Sequence, residues 1–421
     1  MPQVKIAGMQ QVSHNAGNRC PTASVRGKKW LCRAKQWSAL CFVLVLLHAL
    51  PIVGGLGAVE AAGKANFDTS YKNSDGWAIS WDRAIWQAVD SDYAKTSRFD
   101  LDLTGAASIV SIGSQPNTGP NAKACAWKEL SAMQKQTSTQ DFSAPLQLQG
   151  GSNAEYHADF SYTFGFPTAS TIAVTGWVQC KRNWPKNGIE FIVRHIAPNA
   201  AFPDANIAFT KLLTALTGPG QAPVIVASGT PQVITTDEAT GLATIVPPAL
   251  VVWWTSVFFA HGRAYPAPGY DIVTGNSIET GCEKDFSPND KSEYCPIDGI
   301  VYLTPGPMAN RSEVGGGTGT VAYTAAHEWA HHVEQQYGWI NPNPDLNWPK
   351  PITELTADCL AGAFLRWEVD VHALTENQVF NVLNLAFDTG GNPGTDHGTR
   401  EQRFFITYLG FSEGADSCSI F

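Results

Sequence analysis

The spacing of apolar residues changes character along the chain, and each change predicts a different kind of element. Residues 65–198 are rich in aromatic, Thr and Ser residues, and runs such as Thr171-Ile172-Ala173-Val174 and Glu190-Phe191-Ile192-Val193 lie between Gly, Pro and Asn turns. Short runs bounded in this way read as strands. One helical stretch, 125–135, interrupts them. Residues 199–248 hold much Ala, Pro, Gly and Thr and read as a linker with a short connecting helix near 207–216. From 249 to 421 helical spacing dominates. Val321, Ala326, Ala330, Val333 and Tyr337 recur on one helical face, and Leu355, Cys359, Leu360, Ala363, Phe364 and Trp367 form the stripe of a second helix near Pro351. Thr375 with Gln378, and Thr399 with Gln402, have capping-box spacing and open two more helices. Ile300-Val301-Tyr302-Leu303 reads as a strand entered from the Asp298-Gly299 turn, while the apolar run 250–259 fits a helix or a buried strand equally well.

The first sixty residues follow another logic. Lys28, Lys29, Arg33 and Lys35 precede the apolar run 40–50, and small residues follow up to Ala61 and Ala62. That order is how an export signal is built, and we expect cleavage after Ala61, making 1–61 a signal peptide. A retained membrane anchor is the other reading of the same segment, because the apolar stretch 37–59 is long, though broken by His48 and Pro51. The expected location is therefore secreted or periplasmic, with a membrane association only if that segment is retained. The segment holds seven basic residues and one acidic residue, so the rest of the chain carries a net charge of −15 against −9 for the whole. Such acidity excludes nucleic acid as the expected partner.

Six cysteines remain beyond residue 61: Cys125, Cys180, Cys282, Cys295, Cys359 and Cys418. An even number in an exported chain, with no CxxC pair among them, fits three disulfides; the count alone allows fifteen pairings.

The chemistry concentrates at His327-Glu328-Trp329-Ala330-His331, an HExxH pattern. Positions i and i+4 share a helical face, so two imidazoles enter one space with a glutamate beside them: a metal site with a base. The competing reading is a solvated helix face carrying two histidines, with His332 as a further surface residue. Catalytic zinc takes three protein ligands and leaves one position for water. Glu354 and Asp358, four residues apart on the helix of the second stripe, supply candidate carboxylates, and two such charges on one face need a cation nearby. Glu376 is a weaker ligand candidate.

These residues resemble the neutral zinc metallopeptidases of bacteria, a gluzincin-like family. The resemblance rests on His327-Glu328-Trp329-Ala330-His331-His332-Val333, on Glu354-Leu355-Thr356-Ala357-Asp358-Cys359 with Ala361-Gly362, on 397–403, and on Tyr294-Cys295-Pro296 followed by Val301-Tyr302-Leu303. It covers roughly 250–421. It implies an α+β, zincin-like fold, with a mostly helical metallopeptidase domain and a small edge sheet at 249–421. A mixed or β-rich domain of unexplained role, 65–198, precedes it.

It further implies one Zn2+ per chain on His327, His331 and Glu354, with Glu328 as the base that activates a water. Asp358 would orient a ligating histidine through its other ring nitrogen, and Arg403 would pair with a carboxylate. His397 would be a donor to the oxyanion of a cleaved amide. The family likeness also suggests the pairs Cys282 with Cys295, Cys359 with Cys418, and Cys125 with Cys180. The expected activity is zinc-dependent hydrolysis of peptide bonds in a peptide or protein substrate, with the strand 300–304 pairing an extended substrate by β-addition if it borders the cleft. The alternative is a zinc-binding or interaction protein of the cell envelope without turnover.

Overall fold

A computed structural model describes residues 67–89, 99–136, 139–143, 154–166, 171–222, 233–391 and 395–420. The chain divides into Met1–Gly63 and Lys64–Phe421. The expected export segment 1–61 lies outside the described residues.

The first half of the larger unit is built on strands. A hairpin, β1 (Thr69–Lys72) with β2 (Ala78–Trp81), precedes β3 (Trp86–Val89), β4 (Phe99–Gly105), β5 (Ser108–Pro116), helix α1 (Ala122–Gln134), β6 (Thr139–Ser143), β7 (Glu155–Gly165), β8 (Thr171–Arg182) and β9 (Ile189–Pro198). Strands β3 to β9 make a seven-stranded sheet in the order β3-β4-β5-β9-β8-β7-β6, antiparallel throughout. Strand β8 alternates buried and open residues, as a half-covered strand must. Strand β9, at the centre, is buried along almost its whole length, with Glu190, Arg194 and His195 buried among its apolar residues.

The two sides of β9 feed two cores. Phe191 and Val193 join Trp77, Ile79, Val110 and Ile112 under helix α2 (Phe202–Leu213). Ile192 and Ile196 belong to the main core, which continues without interruption into the helical half. Phe164 of β7 and Phe405, 5.1 Å apart by ring centroids, are one point of that continuity.

The helical half begins with α3 (Thr236–Ala260), which resolves the ambiguity at 250–259 in favour of a helix. Thr235 and Glu238 cap its start in a reciprocal capping box. Trp253, Trp254 and Phe258 sit in the core while Ile245, Val252 and Phe259 face outward. Among the described residues α3 is one helix long and apolar enough to cross a membrane; its buried tryptophans make it part of the globular core.

Next come β10 (Gly269–Ile272), β11 (Glu293–Cys295) and β12 (Ile300–Leu303), in the sheet order β10-β12-β11. Strand β12 pairs parallel to β10 and antiparallel to β11, so both its edges are occupied. The expected substrate edge at 300–304 is therefore corrected: the edge strands are β10 and β11, and of these β11 borders the cleft.

Two short helices, α4 (Pro305–Asn310) and α5 (Ser312–Gly315), lead to α6 (Thr318–Gln336), α7 (Lys350–Asp370), α8 (Glu376–Asp388) and α9 (Arg400–Glu413). Gly316 and Gly317, at φ +72° and +68°, turn the chain into α6, a conformation cheap only for glycine. Thr375 and Thr399 make the capping boxes their spacing predicted. Helices α7 and α9 touch backbone to backbone: a Cβ on Gly362 would stand 2.0 Å from the Thr407 carbonyl oxygen, and one on Gly410 would stand 1.8 Å from that of Cys359. Disulfides join Cys125 to Cys180, Cys282 to Cys295 and Cys359 to Cys418, the three pairs the resemblance suggested.

Candidate metal centre

Helix α6 delivers the HExxH residues, and α7 meets it at the right height to deliver a carboxylate. The rings of His327 and His331 stand nearly perpendicular, 84° apart, with centroids 4.8 Å from one another. His327 Nε2 lies 3.3 Å from Glu354 Oε2, and His331 Nε2 lies 3.9 Å from Glu354 Oε1. All three ligand atoms fall within 4.8 Å of one another. A tetrahedral zinc with bonds of about 2.1 Å separates its ligands by about 3.4 Å, so this donor set fits that ion with small adjustments. Glu376 lies exposed in the first turn of α8 and is not in this group.

The other ring nitrogens are held from behind. His331 Nδ1 makes a 2.7 Å hydrogen bond to Glu334 Oε2. His327 Nδ1 stands 2.9 Å from Asp358 Oδ1, an ion-pair distance whose angle falls short of a good hydrogen bond. With a carboxylate at each Nδ1, both rings favour the Nδ1–H tautomer, which frees the Nε2 lone pairs for a metal.

Asp358, with no exposed surface, is fixed in turn by Arg403. Nε and Nη2 of that residue reach its two oxygens at 2.6 and 2.7 Å, and the Tyr323 hydroxyl donates to Oδ1 at 2.5 Å. Arg403 thus pairs with a carboxylate, the one that backs His327.

Electrostatics bind these groups together. Burial opposes charge on His327, yet Asp358 and Glu354 outweigh it and hold the imidazole up to about 10. Burial likewise works against an ionised Glu354, but His327 and His397 hold its carboxyl far below the usual range. Glu334 is pushed up to about 7 by burial, with His331 pulling the other way. A carboxylate this strongly held among imidazoles is a cation site in waiting.

Glu328 lies in the wall of the same cleft as the three candidate ligands. Its Oε2 accepts the backbone N–H of Tyr294 at 2.9 Å, which ties the base to the outer strand β11. Burial raises its carboxyl above the ordinary range. The position of β11 is secured by His332, which is buried. Its Nε2 meets the Pro266 carbonyl at 2.6 Å and its Nδ1 meets the Tyr294 hydroxyl at 3.2 Å.

His397, half exposed, places Nδ1 2.9 Å from Glu354 Oε2. The cleft in front of these groups encloses about 570 Å³ and includes Glu293 and His397 in its walls. Sequence reasoning missed Glu334, Tyr323 and Glu293. Only the first had a local signal, since it lies three residues after His331 on the same helical face.

A family model described as “Putative neutral zinc metallopeptidase” matches residues 208–421. No curated protein matches the chain. Among solved structures, that of cyanobacterial PsbP (CyanoP) from Synechocystis sp. PCC 6803, determined in solution, is similar at 11% identity over 39% of this chain and 99% of that one, with a TM-score of 0.26. So low a score carries no argument about this centre.

Proposed function

The chain belongs to the neutral zinc metallopeptidase family, and we propose that it is an exported zinc-dependent endopeptidase acting on peptide or protein substrates. The observation that carries this reading is the convergence of His327, His331 and Glu354 beside a base, Glu328, that is held on the outer strand and is not needed as a ligand. A purely structural zinc site closes with four ligands and needs no base. Three disulfides support an oxidising compartment and hence export.

Zinc on these three residues would supply a Lewis acid and a water whose pKa falls to ~7. Glu328 would then be the group that takes up a proton in front of the ligands and hands one to the leaving amine. Asp358 and Glu334 keep both imidazoles facing the centre, and Arg403 keeps Asp358 in place. His397 is the donor we propose for the oxyanion: Glu354 holds one of its ring nitrogens, which leaves the other to reach the substrate.

The N–H of Tyr294 points away from β12 to Glu328, so the free edge of β11 is the one that borders the cleft. There an extended substrate pairs by β-addition.

The test compares the zinc-loaded full chain with variants on an unfolded protein substrate. Glu328→Gln should keep its zinc and lose ~10²- to 10⁴-fold in kcat, whereas His327→Ala, His331→Ala and Glu354→Ala should each lose zinc. Equal cleavage by Glu328→Gln would leave a zinc-binding protein without this chemistry.

A further inference from the structure

The strand that holds Glu328 also carries a carboxylate for which the proposed mechanism has no use. Glu293 opens β11, one residue before the Tyr294 N–H, and lines the cleft together with Glu328 and His331. Its Oε1 is buried without a hydrogen-bond partner, and among the described residues no ion pair reaches it. A buried carboxylate oxygen left unmatched is costly and is ordinarily removed or paired.

The surroundings deepen the mismatch. Burial, and then the charges of Glu283, Glu328, Asp298 and Asp290, push Glu293 up to about 7. Every one of those neighbours is acidic. By contrast, the acids behind the metal ligands have their partners: Asp358 has Arg403, and Glu334 has His331. The unmatched acid lies on the substrate side of the centre.

On these grounds we infer that Glu293 is a specificity-determining residue, whose carboxylate receives a basic side chain of the substrate next to the scissile bond. An extended peptide running along β11 has its backbone on the strand's outer edge, which brings alternate side chains over the cleft wall where Glu293 stands. An arginine or lysine there gains a charge-assisted bond and supplies the partner that Glu293 lacks. A neutral side chain leaves the carboxylate unmatched, and a site built for a charged group rejects the analogue lacking it. This inference rests on the peptidase reading.

The experiment uses peptides identical except at the two residues on either side of the cleaved bond, where arginine is exchanged for citrulline, its uncharged isostere. The readout is the arginine-to-citrulline ratio within each protein, in kcat/KM for the zinc-loaded full chain and in affinity for the Glu328→Gln chain, which binds without turning over. The expected ratio is roughly 10- to 100-fold at one of these positions. Glu293→Gln should bring it to within about threefold, and Glu293→Lys should reverse the preference toward a glutamate-bearing peptide. A ratio near one at every position in the unsubstituted protein, or a ratio that Glu293→Gln leaves intact, overturns the inference. A chain that cleaves none of the peptides overturns the peptidase reading instead, and the binding ratio then decides the role of Glu293 by itself.

Discussion

At the scale of the residue, the centre is a set of ligands whose geometry is imposed from behind. Glu334 is the clearest case, because its carboxylate meets His331 Nδ1 at 2.7 Å and makes no contact that the cleft requires. Partners of this kind raise ligand basicity and restrict ring rotation, and their loss costs about 10- to 100-fold in metal affinity. Glu334→Gln should therefore weaken zinc binding by that factor, measured by competition with a chelator, while the folded content seen by circular dichroism stays unchanged. The HExxH histidines and base were legible in the sequence because helical periodicity alone places them. Glu354 and Asp358 were legible as paired carboxylates on one helical face, but their separate roles only with the family likeness, since nothing local says that α7 packs across α6. Glu293 carried no signal, because its meaning lies in what does not surround it.

At the scale of the element, the centre depends on how closely two helices approach. Glu354 and Asp358 ride on α7 and Arg403 rides on α9, so the bidentate contact between Asp358 and Arg403 is set by the spacing of those helices. Gly362 and Gly410 make that spacing possible, as each presents bare backbone to a carbonyl of the other helix. Overpacking such a contact costs about 1–3 kcal/mol or more. Gly362→Ala should lower the midpoint of chemical unfolding accordingly and also reduce zinc affinity, since the helices separate where the carboxylate network is anchored. The stripe of α7 predicted its buried face but not its partner. A one-helix pattern records which side is covered and leaves the covering element unnamed.

At the scale of the whole molecule, the seven-stranded sheet and the helices share one core, and a second core under α2 closes the sheet's other face. His195 of β9 lies in that second layer, fully buried, stacked 4.3 Å from Phe209 and 5.5 Å from Phe202, with no hydrogen bond to either ring nitrogen. Burial pushes it down to about 3, whereas an unfolded chain holds it near 6.5. Between those values the unfolded chain binds the extra proton, so the stabilisation is complete above about pH 6.5 and drains away as pH falls toward 3, by up to a few kcal/mol. Urea unfolding midpoints of the metal-free chain, measured across that window, should fall less steeply in His195→Leu than in the parent. Equal slopes would remove His195 as the source.

What the sequence determined by itself was local: the helix that lines up two histidines and a glutamate, the capping boxes, the strand runs, and the even set of cysteines. These follow from periods of two and 3.6 residues and from backbone chemistry within a few positions. Tertiary structure decided which strands form the edges of the small sheet, placing β11 and not β12 at the cleft, and it brought His332 to the Tyr294 hydroxyl. It also paired Arg403 with Asp358 across 45 residues and left Glu293 without a cation. Each of those outcomes is a meeting, or a failed meeting, of groups far apart in the chain. Such contacts are selected by the packing of whole elements, and no short window of residues contains them.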